Sequence, residues 1–157
     1  KLNGNFYVMD AENTQFEKNT FDIIVGTGII HHLDLKKIYL ETSRILNENG
    51  HAVFIEPLGH NPIINLYRKL TPNIRTVDEH PLLRKNLKLL KKYFSNVKIQ
   101  YFSLFTLLAV PFRDSIIFNP LFAILYLMDK IILKIPLIRE WAWVAVIHTH
   151  KPIKLNN

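Results

Sequence analysis

Three short segments carry residues able to do chemistry, and each begins where an apolar run stops. Asp10, Ala11 and Glu12 follow Phe6–Met9. Gly26, Thr27, Gly28 and Ile29, then His31 and His32, follow Phe21–Val25. Glu56 and Pro57 follow Ala52–Ile55. A carboxylate at the end of a strand accepts hydrogen bonds from a ligand's exocyclic amine or ribose hydroxyl, and the backbone amide after it can meet a ring nitrogen. Glycine lets backbone approach a ligand closely. Histidine serves as general base or electrostatic partner near neutral pH. The two histidines are adjacent, so they do not converge on one metal as an i, i+4 pair on a helix would. With no cysteine in the chain there is no thiolate site and no cysteine nucleophile. No metal site is expected. Plainer readings stand beside these: a strand-terminal aspartate caps a turn, and one histidine packs inside with a satisfied nitrogen while the other is solvated.

A second group follows the third apolar run: His60, Tyr67, Arg75, Asp78, Glu79 and His80. Arg75 has the chemistry to clamp a phosphate or carboxylate. His60 and His80 are further base candidates. A surface network of loop charges is the alternative.

These residues need elements to position them. Asn5–Met9, Phe21–Val25 and Ala52–Ile55 read as buried strands, continuously apolar as parallel strands covered on both faces are. Asp34 caps a helix with Leu35, Ile38, Tyr39, Ile45 and Leu46 on one side, stopped by Asn49-Gly50. A helix joining two such strands makes a right-handed crossover. In an open α/β sheet ligands bind outside the carboxyl ends of the strands, where the three polar segments lie. Asn61-Pro62 opens a helix to about Leu70, and Thr71 to His80 is a polar connection. Pro81 starts a basic helix with Leu83, Leu87, Leu90 and Phe94 on one face. Val97, Ile99 and Tyr101 alternate with polar residues, as in a strand nearer the sheet edge. Asn119-Pro120 starts a long apolar helix to about Leu133, broken by Pro136, and Trp141 to Thr149 reads as the last strand.

At 157 residues the chain fits one domain, 1–157. Its hydrophobic fraction of 48% and charged fraction of 21% exclude disordered and collagen-like classes. The net charge of +7 is uneven: residues 1–80 hold 8 basic and 10 acidic side chains, residues 81–157 hold 12 and 3. A basic half attracts anions: nucleic acid, anionic lipid or a phosphorylated substrate. No aromatic-basic stacking motif supports nucleic acid as a partner. Ser115 to Met128 is free of charge but falls short of the roughly 18 apolar residues of a bilayer crossing. Lys1 to Met9 lacks the pattern of a signal peptide. A cytoplasmic protein, peripheral to a membrane at most, is expected. The chain opens on Lys1 and enters a strand pattern almost at once, as a piece of a longer domain would.

Taken in order, these segments resemble the class I S-adenosylmethionine-dependent methyltransferases. The residues that carry the likeness are Val8-Met9-Asp10-Ala11-Glu12, Phe21-Asp22-Ile23-Ile24-Val25, His31-His32-Leu33, and Leu46-Asn47-Glu48-Asn49-Gly50 leading to Glu56-Pro57. The family's first strand with its glycine-rich loop, and the acidic residue ending its second strand, have no counterpart here. The resemblance implies a partial Rossmann-like α/β sheet: parallel strands followed by an antiparallel hairpin, helices on both faces, and a helical insertion, 103–140, between the last two strands.

It also implies S-adenosylmethionine as cofactor. Asp10 would accept from the adenine amine and Ala11 would present its backbone, with Glu12 and Ile29 beside them. Thr27 and Gly28 would border the methionine end, and His31 or His32 would face the reaction centre. Glu56, His60, Tyr67, Arg75 and His80 would form the substrate wall. The acceptor would be a small or lipid-linked molecule. The apolar stretch from 118 to 143, with Lys130, Lys134 and Arg139 beside Trp141 and Trp143, suits a lipid headgroup boundary. It also suits a helix packed over the hairpin, and it is the basis of a competing expectation, a non-catalytic membrane-binding module.

Overall fold

The computed structural model describes residues 3–155. In chain order the elements are β1 (Phe21–Thr27), α1 (Leu35–Ile45), β2 (Leu46–Pro57), α2 (Pro62–Leu70), α3 (Arg84–Leu89), β3 (Phe94–Phe102), α4 (Phe118–Ile132) and β4 (Val144–Pro152), joined in places by 3-10 turns. The four strands form one mixed sheet in the order β1-β2-β4-β3. β1 and β2 are parallel, while β4 runs antiparallel to both β2 and β3. Helices pack around this α/β sheet.

Local chemistry sets the helix ends. Asp34 Oδ1 accepts from the backbone N–H groups of Lys36 and Lys37 at 2.8 and 3.2 Å, and Asn61 Oδ1 does the same for Ile63 and Ile64 at 3.0 Å. Each side chain satisfies donors that a helix start leaves open. At the other end of α1, Lys154 Nζ reaches the carbonyls of Ser43 at 2.7 Å and of Leu46, which suits the negative end of the helix dipole. α1 and α3 then share one core over the sheet. Ile38, Tyr39, Leu87, Leu90 and Tyr93 close on Ala52, Phe54, Ala145 and Ile147, and the rings of Tyr39 and Tyr93 meet edge-on at 6.0 Å.

The structure corrects several expectations. Residues 5–9 are not a strand: Phe6 and Val8 are 97% and 106% exposed. A strand is held by a neighbour's backbone, and no described residue offers one to this segment. β1 is not buried on both sides, since Ile23 and Val25 stay open to solvent while Ile24 packs on the core. α1 ends at Ile45 and passes straight into β2, with a slip in the β1–β2 register between Phe21 and Ile23, so Asn49-Gly50 lies within β2. α3 begins at Arg84, not Pro81, because Leu82 is drawn into extended pairing beside Leu58: Leu82 N–H donates to Pro57 O and Gly59 N–H to Leu82 O, both at 2.9 Å. Phe94 belongs to β3. β4 starts at Val144, after a 3-10 turn at Ile138–Trp141.

Candidate functional site

The carboxyl ends of β1 and β2 lie side by side, with Thr27 opposite Ile55. The chain leaving β1 must turn at once, and Gly28 takes a φ of +59°, a conformation glycine adopts without penalty. Gly28 N–H donates to Ile55 O at 2.9 Å, which ties the turn to β2. Gly26 is fixed by packing instead: a Cβ there would stand 2.9 Å from the Phe54 ring.

Glu56 organises this corner from inside. It is fully buried. Its Oε1 accepts the backbone N–H groups of Ile29 and Ile30 at 3.0 and 3.1 Å, and its Oε2 lies 2.7 Å from Nδ1 of the buried His31. An ionised carboxylate only accepts, so Nδ1 carries a proton, and in the neutral imidazole Nε2 is then the nitrogen with the lone pair. The space beside Gly28 opens toward His31, whose Cε1 is 3.9 Å from the point a Gly28 side chain would occupy. Tyr39 is buried nearby, its hydroxyl unpartnered among the described residues. Burial first, and the charge of Glu56 second, push its phenol far above the ordinary range.

The loop 76–80 closes over the histidines. His80 N–H donates to His31 O at 2.8 Å. His32 Nδ1 lies 2.8 Å from Asp78 Oδ2 and 3.3 Å from Thr76 Oγ1. A backbone hydrogen bond within its own residue, then Thr76 and His32, hold the Asp78 carboxyl below the usual range. His80 Nδ1 donates to Asp78 O at 2.8 Å.

Asp10 is exposed, and its Oδ1 accepts Glu12 N–H at 2.8 Å. Glu12 is engaged by α1: it accepts Asp34 N–H at 2.7 Å and meets Lys37 Nζ at 3.1 Å. Ala11, Gly26 and Ile29 line one small hollow of about 200 Å³. Thr27 and Gly28, between Gly26 and Ile29 in the chain, are exposed and do not line it. His60 stands apart from the histidine pair; its Nε2 accepts Arg84 N–H at 3.1 Å and so caps α3. Tyr67 and Arg75 line a second, larger cavity of about 550 Å³ between α2, the 3-10 turn Thr106–Phe112 and Trp143. No group of three His, Cys, Asp or Glu side chains suited to a metal ion occurs among the described residues.

Sequence reasoning missed two features. One is the clamp that holds residues 14–16 in place without secondary structure. Glu41 accepts the Thr14 N–H at 2.9 Å and its hydroxyl, while Arg44 Nη2 donates to Phe16 O at 2.7 Å. Burial alone would raise the Glu41 carboxyl, but Arg44 and the two Thr14 donors outweigh it and hold it below the usual range. The other is Arg68, which joins Ile63, Ile64 and Tyr67 on one face of α2. The i, i+1, i+4, i+5 spacing carried that signal.

The methyltransferase-domain family model matches residues 1–54, the part that holds the first two polar segments and the histidine pair. No curated protein matches by sequence. Solved structures do match. The phosphoethanolamine N-methyltransferase 2 of Haemonchus contortus, in complex with phosphomonomethylethanolamine and S-adenosylhomocysteine, superposes with a TM-score of 0.56 at 17% identity, over 92% of this chain and 36% of that one. A methyltransferase dependent on S-adenosylmethionine from Archaeoglobus fulgidus gives 0.57 at 16% identity, over 91% and 66%. The geranyl diphosphate C-methyltransferase of Streptomyces coelicolor, with Mg2+, a substrate analogue and S-adenosylhomocysteine, gives 0.55 at 12% identity, over 92% and 50%. The chain spans about a third of the Haemonchus enzyme and half of the Streptomyces one.

Proposed function

We propose that this chain, which has the fold of the class I S-adenosylmethionine-dependent methyltransferases, forms part of a centre that transfers a methyl group to a small-molecule or lipid-linked acceptor. The observation that carries this reading is the buried Glu56–His31 pair facing the open turn at Gly28. The residues present fit one wall of a nucleoside site. Asp10 is exposed and uses only Oδ1 within the described residues. Ala11 and Ile29 share a hollow. The Gly28 turn leaves bare backbone beside it. Asp10 Oδ2 would accept from the adenine amine, Ala11 would offer its backbone, and Thr27 and Gly28 would border the amino-acid end.

Bound there, S-adenosylmethionine supplies a methyl group already activated on a sulfonium, so the protein's task is alignment and proton removal. Glu56 fixes the imidazole of His31 by holding Nδ1–H. In the neutral imidazole, His31 Nε2 would offer its lone pair to the proton that the acceptor oxygen, nitrogen or carbon gives up as its new bond to methyl forms and the methyl–sulfur bond breaks. His32, held by Asp78, and His80 keep the loop closed over this corner. Glu56 acts through His31 and through the backbone of Ile29 and Ile30, so we assign it a positioning role. The likeness to enzymes named for phosphoethanolamine and geranyl diphosphate supports a small acceptor.

Calorimetric titration of the intact protein with S-adenosylhomocysteine tests the reading. Saturable binding, weakened at least about tenfold in Asp10→Ala, is expected. No binding, or binding untouched by that substitution, sinks it.

A second reading, membrane contact through 118–143, is favoured by one observation. Ile124, Leu127, Ile131, Leu137 and Trp141 are largely exposed on and just after α4, beside Lys130 and Lys134. No helix among the described residues is long and apolar enough to cross a membrane, so contact would be interfacial. Flotation with anionic liposomes tests it. Co-flotation lost on changing Leu127 and Ile131 to Ser supports membrane contact, and absence of co-flotation removes it.

A further inference from the structure

The larger cavity has a chemistry of its own. Ile63, Ile64, Leu107, Val110 and Trp143 give it apolar walls, and Tyr67 adds an aromatic edge. Two guanidinium groups and one carboxylate stand among them. Arg75 is paired with Glu79. Arg68 has no ion-pair partner among the described residues: its Nη1 donates to Leu58 O at 3.0 Å and to Asn65 Oδ1 at 2.8 Å, both neutral. The Nε atoms of both arginines are buried without a hydrogen-bond partner among the described residues. A cation in apolar surroundings calls for a counter-charge, and an unmet N–H calls for an acceptor. Burial, and then the charge of Arg75, lower the pKa of Arg68, and the charge of Glu79 only partly opposes them.

We propose that this cavity binds an amphipathic anion, an apolar chain ending in one phosphate or carboxylate group. The anionic group meets Arg68 and Arg75, and the chain lies along Ile63, Leu107, Val110 and Trp143. The cavity adjoins the corner already described: Pro57 follows Glu56, and Glu79 precedes His80, whose N–H holds His31 O at 2.8 Å. That this anion is the methyl acceptor rests on the proposed methyltransferase function, while its binding does not.

The chain has two tryptophans, Trp141 and Trp143, so a Trp141→Phe background leaves Trp143 in the cavity wall as the sole tryptophan, read by excitation at the red edge where tyrosine does not absorb. This protein is titrated with octyl phosphate below its micellar concentration, with octan-1-ol and with inorganic phosphate. The expected result is a saturable change in Trp143 emission with octyl phosphate, at an affinity at least about tenfold above either of the others. Arg68→Met should remove that advantage and leave octan-1-ol binding as it was. Glu79→Gln, which deletes the one negative charge, should tighten octyl phosphate binding, an effect that loss of structure does not produce.

Equal affinity for octyl phosphate and octan-1-ol overturns the proposal. So does a silent Trp143, or a Glu79→Gln variant that binds no more tightly. Anionic phosphatidic acid vesicles separate the source of the headgroup. A Trp143 response to vesicles that octyl phosphate neither reproduces nor competes away also counts against the cavity. Titration with S-adenosylhomocysteine reads the methyl-transfer function separately. If it fails while octyl phosphate binds, the anion site stands without the reaction.

Discussion

Glu56 makes three hydrogen bonds from a fully buried position, two to backbone and one to His31. Glu56→Gln keeps the volume but brings an N–H₂ where only an acceptor fits. Donors that met a charge now meet a neutral amide or another donor, and stability should fall by about 2 kcal/mol in urea unfolding. The His31 tautomer should also lose its preference for the Nδ1–H form, which ¹⁵N NMR of the imidazole reads directly. Tyr39 presents the opposite case. Its buried hydroxyl has no partner among the described residues, so Tyr39→Phe should leave stability unchanged or raise it by up to about 1 kcal/mol, as thermal melts would record. A clear loss would mean that the hydroxyl serves the Glu56 cluster.

At the scale of elements, contacts between neighbours fix the sheet and its loops. Glu41 on α1 holds Thr14 and Arg44. Its carboxyl is depressed in the folded chain, so its contribution is complete above the ordinary glutamate range and is lost as pH falls through the lower folded value. Glu41→Gln should therefore lower stability at neutral pH and flatten the acid limb of the stability curve. Between β2 and β4 the reverse residue type obeys the same rule. His51 stacks on His150 with ring centroids 4.2 Å apart, and its Nδ1 lies 2.9 Å from His148 Nε2. Burial, then the charges of His51, Lys98 and His150, lower the His148 pKa. Below the ordinary histidine value the unfolded chain takes up a proton that the folded chain resists. Stability should rise with pH through that window and level off above it, and His148→Gln should remove much of the slope.

The whole molecule is closed by a contact between distant parts of the chain. Lys154, beyond β4, donates to carbonyls of Ser43 and Leu46 at the end of α1. Lys154→Met removes charged hydrogen bonds and should cost about 1–2 kcal/mol. Hydrogen exchange should then quicken in two places at once, the last turn of α1 and the final residues of β4. Faster exchange in the tail alone would show that the contact holds the tail and nothing more.

Much of this molecule was legible from residue order. The caps at Asp34 and Asn61 and the polar segments ending β1 and β2 follow from patterns within a few residues of each other, because capping and side-chain alternation are local. The parallel β1–β2 pair follows from two apolar strands joined by a helix, and the antiparallel β3–β4 pair is implied only by the resemblance to the methyltransferase family. What only the tertiary structure decided depends on partners far away in sequence. Phe6–Met9 has strand residues but no described neighbour. Glu56 has the look of a substrate contact, but its side chain turns inward to three donors from residues 29–31. Arg68 forms no ion pair among the described residues, because Glu79, whose charge reaches it across the same cavity, is paired with Arg75. A sequence states which groups are present; whether a charge is paired, buried or left open depends on the fold that surrounds it.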